Sequence, residues 1–149
     1  MTSTTDDIGV PLVPPLDAHQ ARMPDGEVSL WQPWPTIIVQ KASGVMSRPL
    51  AECLEDFCRE VLAPGVHYRV FADFEQVTSY NRDARELQTT FALEHLDALE
   101  AFHVLISSRD LALAIGAYKH EVGDQRVHTY SERASLIRSY EEAMRELLH

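Results

Sequence analysis

Three carboxylates, Asp73, Glu75 and Asp110, stand near the expected carboxyl ends of strands. A pair of acids placed there can exchange protons with a substrate or hold a divalent cation. The competing reading is structural: residues 66–80 form an apolar strand running into an acidic turn, in which Asp73 accepts backbone amide hydrogens. A phospho-accepting aspartate of the receiver type would also require acids after the first parallel strand and a lysine after the last. Those positions read Gln40-Lys41 and Tyr130-Ser131, which excludes it. A second set is hydroxylic. Ser43, Ser47, Ser79, Ser107, Ser108 and Ser131, with Thr78 beside Ser79, fall at expected strand-to-helix turns. Hydroxyls over helix N-termini, with Arg109 among them, can hold an anion or a small polar ligand. Helix capping accounts for most of the same pattern. Gly44, Gly65, Gly116 and Gly123 are isolated, so no Gly-rich phosphate cradle accompanies the serines.

His67, His103 and His128 lie on three different expected strands, which raises a shared metal. Counted back from the strand ends they sit at different depths, offset by two residues each, or about 6–7 Å per step at strand rise. Zinc needs its nitrogens within about 2.1 Å of one point, so no metal centre is expected. His95 reads as a hydrogen-bonded residue at the boundary of an apolar helix stripe. Cys53 and Cys58 are five apart on an expected helix, a spacing that suits neither a local disulfide nor a common metal; they read as small buried hydrophobes. No Gly-x-Ser-x-Gly, His-Glu-x-x-His or Cys-x-x-Cys occurs, so nothing in the sequence points to a hydrolase nucleophile, a catalytic residue set or a cofactor. Trp31 and Trp34 read as a cover for a sheet edge.

These residues must be held by elements whose pattern is legible. Pro11, Pro14, Pro15 and Pro24 break both helix and ladder, so residues 1–26 read as an irregular or disordered N-terminal arm. Residues 27–31 and 36–40 are strand-like and separated by Pro33 and Pro35, which suggests a hairpin. Ser47-Arg48-Pro49 opens a helix with Leu50, Leu54, Phe57, Cys58 and Val61 on one face, stopped by Pro64-Gly65. After the strand at 66–73, Ser79 or Thr78 caps a helix striped by Ala84, Leu87, Phe91, His95 and Ala98. A strand at 102–106, a short helix from Ser107-Ser108 ending at Gly123, a strand at 126–130 and a helix from Ser131 follow. The order ββαβαβαβα predicts an α/β fold with a mostly parallel sheet of about four to five strands, an antiparallel edge strand and flanking helices. Residues 27–149 form its single domain.

The chain has 149 residues, within the roughly 100–200 expected for one domain. Its formal charge of −10, from 23 acidic and 13 basic residues with only two lysines, disfavours nucleic acid and anionic membrane surfaces as partners. A mean hydropathy of −0.20, no long apolar run and a polar opening segment lead to the expectation of a cytoplasmic protein. A homodimer is compatible with this size, and the sequence does not decide it.

Residues from about 36 to 148 resemble the STAS family, the anti-sigma-factor antagonist-like domains. The resemblance is carried by Thr36-Ile37-Ile38-Val39, the Gly44-Val45-Met46-Ser47 turn, Val70-Phe71-Ala72-Asp73 followed by Val77, Val104-Leu105-Ile106-Ser107-Ser108, and Ser131-Glu132-Arg133 before a closing amphipathic helix. In that family a serine in the loop after the Asp-bearing strand is phosphorylated by a partner kinase. Asn81-Arg82-Asp83 stands at that place here, so the serine is missing and a divergent member is implied. Ser79 and Tyr80 lie close by and are the candidates for modification. The resemblance implies a regulatory or scaffold module that binds a protein partner without catalysis. Its expected rim is Asp73, Glu75, Thr78, Ser79, Tyr80, Ser107, Ser108, Arg109 and Ser131. A small-ligand or anion-binding domain using the serine-rich helix starts is the alternative.

Overall fold

The structure is a computed structural model and describes residues 12–148. Its elements run β1 (His19–Met23), β2 (Gly26–Trp34), β3 (Ile37–Met46), α1 (Arg48–Val61), β4 (Tyr68–Tyr80), α2 (Arg82–Glu94), β5 (Leu99–Leu105), α3 (Arg109–Val122), β6 (Val127–Tyr130) and α4 (Arg133–Leu147). The six strands form one sheet in chain order, with β1, β2 and β3 antiparallel and β3 to β6 parallel. The α/β class, the antiparallel edge and the alternation of strand and helix are therefore as expected, with one strand more.

The extra strand is β1, where an irregular arm was expected. Its five residues contain no proline: Pro14 and Pro15 precede it and Pro24 falls in the turn to β2. An edge strand needs partners on one side only, so the flanking prolines remove no ladder hydrogen bond. The arm is anchored further back as well. Leu12, at a positive φ of 64°, is 2% exposed and sits under α4 with Ile37, Val39 and Phe71. Pro11 and the rest of the arm before it lie outside the described residues.

The other departure is β4. The stretch expected to turn after Asp73 continues as strand to Tyr80, paired with β3 as far as Met46. Between Lys41↔Asp73 and Ser43↔Gln76, and again between Gly44↔Val77 and Val45↔Ser79, β4 carries one residue more than β3. Each such bulge resets the alternation of faces. Phe74, Val77 and Tyr80 thus all point into one core although they are three apart. A spacing of three in place of two is what reads as the end of a strand. Ser43 and Gly44 belong to β3 rather than to a turn, and α2 starts after Asn81, not at Ser79.

Three helices, α1, α2 and α3, cover one face of the sheet over a core that includes Ile38, Leu54, Val70, Phe91, Val104 and Leu111. Among the described residues α4 is the one helix on the other face, with Leu136, Tyr140 and Ala143 against Ile37, Val39, Phe71 and Leu105. Arg69 ties the far end of α4 to the sheet, bridging Glu100 at 3.0 Å and Glu146 at 3.1 Å. Cys58 is buried and Cys53 half-buried, both as free thiols, and burial pushes the Cys58 thiol up to about 12. Among the described residues no helix is long and apolar enough to cross a membrane.

Gly44 is where the sheet is most sensitive to a side chain. Its φ is +79°, and a Cβ there would overlap the carbonyl oxygen of Asp25. That carbonyl already accepts the Val45 amide at 2.9 Å and cannot withdraw without losing the bond. Gly44→Ala is expected to cost about 2 kcal/mol of unfolding free energy, measured by urea denaturation.

Candidate functional site

β5 and β6 end at Leu105 and Tyr130, whereas β4 runs on for seven residues past its last pairing with β5 at Asp73↔Leu105. The exposed flank of β4 at this point is closed by side chains. The Ser107 hydroxyl donates to the Glu75 carbonyl oxygen, and the Glu75 amide donates to Asp73 Oδ1 at 3.2 Å across the first bulge. Arg133, in the first turn of α4, reaches Asp73 Oδ2 at 2.8 Å and Glu75 Oε1 at 2.7 Å. Asp73 is 2% exposed. Both acids are therefore committed to one guanidinium, which leaves neither as a free base. Asp73 does accept a backbone amide as expected, but from within a bulged strand.

The remaining rim residues fall around this cluster without converging on one point. Thr78 is exposed and Ser79 half-buried on the second bulge, and Tyr80 turns inward. Ser108 caps α3, accepting the Leu111 amide at 3.1 Å, as its position suggested. Arg109 and Asp110 are exposed in the first turn of that helix. Ser131 is exposed and lies two residues before α4, whose cap residue is Glu132. Ser47 precedes α1 but makes no cap hydrogen bond, and its hydroxyl is buried without a partner among the described residues.

The histidines separate. His67 is exposed and precedes β4, so it is not on a strand. His103 and His128 stack at 4.8 Å between ring centroids, paired across β5 and β6. Phe71 stacks on His103 from β4 at 4.5 Å. His103 Nδ1 lies 2.8 Å from the Tyr130 hydroxyl, which in turn lies 2.9 Å from Ser139. Burial, with the neighbouring His128 and Arg69, pushes the His103 imidazole down to about 4. Among the described residues no three His, Cys, Asp or Glu side chains gather as a metal site would require. His95 is the boundary residue expected, with Nδ1 at 2.9 Å from the Phe91 carbonyl oxygen.

A mainly apolar cavity with a few polar groups in its wall, under the three-helix layer, is not legible in the sequence as a site. It has a volume of about 60 Å³ and is walled by Gln40, Tyr68, Val70, Tyr80, Leu99 and Phe102 from the sheet, Leu54, Glu55 and Cys58 from α1, Gln88, Phe91 and Ala92 from α2, and Ile115 and Tyr118 from α3. Glu55 is 4% exposed. Its Oε1 lies 3.8 Å from Arg59, and its Oε2 has no hydrogen-bond partner among the described residues. Burial outweighs the attraction of Arg59 and pushes the Glu55 carboxyl up to about 7. Burial likewise holds the Tyr68, Tyr80 and Tyr118 phenols well above their ordinary range. A signal for this site was present in the sequence: Ala51, Leu54, Glu55 and Cys58 occupy i, i+3, i+4 and i+7, which places a carboxylate inside the apolar stripe of α1.

No family model matches the chain, and no curated protein matches it. Among solved structures it is similar to an uncharacterised protein of the DUF3478 family with a SpoIIAA-like fold from Shewanella loihica PV-4, at 10% identity and a TM-score of 0.55, over 81% of this chain and 90% of that one. Identity at this level speaks for the fold alone. The chain has a SpoIIAA-like fold, that of the anti-sigma-factor antagonist-like domains its sequence resembles.

Proposed function

We propose that the protein is a non-enzymatic regulatory or scaffold module whose protein partner docks on the outer face of α3 and the strand-end rim beside it. The observation that carries this reading is Leu113, 68% exposed in the middle of α3. Ala112, Gly116 and Ala117 are exposed around it. An apolar side chain ringed by small residues lets a partner backbone approach closely and bury the patch, at about 25 cal/mol per Å². Ser107, Ser108 and Arg109 lead into the same helix and supply polar contacts at its edge. The rim acids support binding rather than catalysis, since Asp73 and Glu75 are held by Arg133.

Leu113→Asp tests this without touching the core. Wild-type protein used as bait in native lysate is expected to retain one or more proteins that the variant retains at least tenfold less, with unchanged thermal stability. Equal retention by both, or metabolite turnover by the purified protein, would overturn the reading. A wild type that sediments as a dimer, with a monomeric variant, would identify the partner as a second copy.

A further inference from the structure

The cavity behind α1 has the composition of a ligand site rather than of a packing defect. Empty cavities in proteins are apolar, whereas this one contains a carboxylate and two carboxamides among aromatic rings. An acceptor buried without a donor is costly, so a group that supplies one gains by entering. We propose that the cavity binds a small organic amine as its ammonium ion, paired to Glu55 and facing the rings of Tyr80 and Tyr118. An ammonium offers three donors to Glu55 Oε2 and the neighbouring carboxamide oxygens of Gln40 and Gln88. Aromatic rings around a desolvated cation add the attraction of their π-faces. The apolar walls, Leu54, Val70, Leu99 and Ile115, take a short hydrocarbon tail. A volume of about 60 Å³ corresponds to about four to six water-sized positions, which limits the ligand to a few heavy atoms.

Charge around Glu55 favours this occupant. Asp56, Glu94 and Glu52 raise the Glu55 carboxyl further, beyond the effect of burial; among the described residues Arg59 is the opposing charge on Glu55, and Arg85 lies beside Tyr80. Arg59 is drawn off toward Asp56 at 3.4 Å and over the Phe91 ring at 4.8 Å. From the other elements Tyr80, Tyr118 and Tyr68 face the site as neutral phenols, and Cys58 as a neutral thiol. A bound ammonium therefore meets acceptors and a local excess of negative charge, and it brings Glu55 to the carboxylate form.

The test uses the whole protein with n-butylamine, n-butanol and butyrate as probes of similar shape, followed by calorimetry at pH 6, 7 and 8. Saturable n-butylamine binding is expected with a Kd below about 1 mM, at least about tenfold tighter than either of the others. Its affinity should rise about tenfold from pH 6 to pH 8 as Glu55 ionises, with release of about half a proton on binding at pH 7. Glu55→Gln should weaken n-butylamine at least about tenfold and abolish the pH dependence. Proton release by the wild type reads the same pairing without any substitution. No saturable amine binding, equal binding of n-butanol, or binding without proton release would each overturn the proposal.

Discussion

Arg133→Met is expected to destabilise the protein by about 3 kcal/mol, read as a lower urea midpoint at unchanged slope. Asp73 is buried at 2% exposure and Arg133 is the cation on its outer oxygen, at 2.8 Å. Removing that cation leaves a buried carboxylate with only the Glu75 amide for company. Breaking a buried pair usually costs about 3–5 kcal/mol, and the lower end applies because the Arg133 side chain is 37% exposed and water can follow. The same reasoning predicts that Asp73→Val in the Arg133→Met background recovers all but about 1 kcal/mol, the remainder being the lost hydrogen bond to the Glu75 amide. If the double variant is no more stable than Arg133→Met alone, the loss comes from apolar packing of the Arg133 stem and not from charge.

The second large effect is a pair of opposed pH dependences hidden in the wild type. The Glu55 carboxyl is pushed up to about 7, mainly by burial. The folded state thus holds a proton that the unfolded chain releases near 4.5, and stability falls as pH rises from about 4.5 to 7. The His103 imidazole is pushed down to about 4, again mainly by burial. The unfolded chain takes up a proton near 6.5 that the folded state refuses, so stability falls as pH drops from about 6.5 to 4. Each shift of about 2.5 units corresponds to about 3 kcal/mol across its window, and over about pH 4.5–6.5 the two slopes oppose each other.

Glu55→Gln should therefore be more stable than wild type by about 2–3 kcal/mol at pH 8 and equal to it near pH 4. His103→Phe, which keeps the stack with Phe71 but gives up the hydrogen bond to Tyr130, should show the reverse: a loss of about 1 kcal/mol at pH 8 and a gain of about 2 kcal/mol near pH 4. Unfolding curves of the two variants between pH 4 and 8 should diverge from wild type most at opposite ends. Parallel displacement of either variant at all pH values would show that its effect is one of packing.

The fold was legible because its determinants are local and periodic. Leu50, Leu54 and Cys58 mark the inner face of α1, the run at 36–40 marks a strand, and Ser108 caps α3 where its position requires. What could not be read locally was β4 beyond Asp73. A bulge is defined by the count of residues on two strands, Lys41 to Ser43 against Asp73 to Gln76, and only the pairing reveals it. The acidic turn with its signalling loop became a continuous strand for that reason. β1 is masked in the sequence by the prolines on either side of it, which an edge strand tolerates outside its five residues.

For the candidate sites the division is similar. Ser107 and Ser108 are recognisable in one dimension as the step from a strand end to a helix start, whereas Asp73 and Glu75 lie inside β4, where the expected strand end is absent. That Arg133 would neutralise both acids depends on where α4 crosses the sheet, which is settled by packing 58 residues further along the chain. Glu55 is a charged residue in an apolar stripe, a signal that by itself does not show what the side chain meets. Its encounter with Tyr80 and Tyr118, from a strand end and a helix, follows from bulges and crossovers that no local pattern encodes. Residue type and period determined which side chains face inward; the stacking of α1, α2 and α3 over one face decided which of them meet, because proximity in a parallel sheet is a property of pairing and not of sequence.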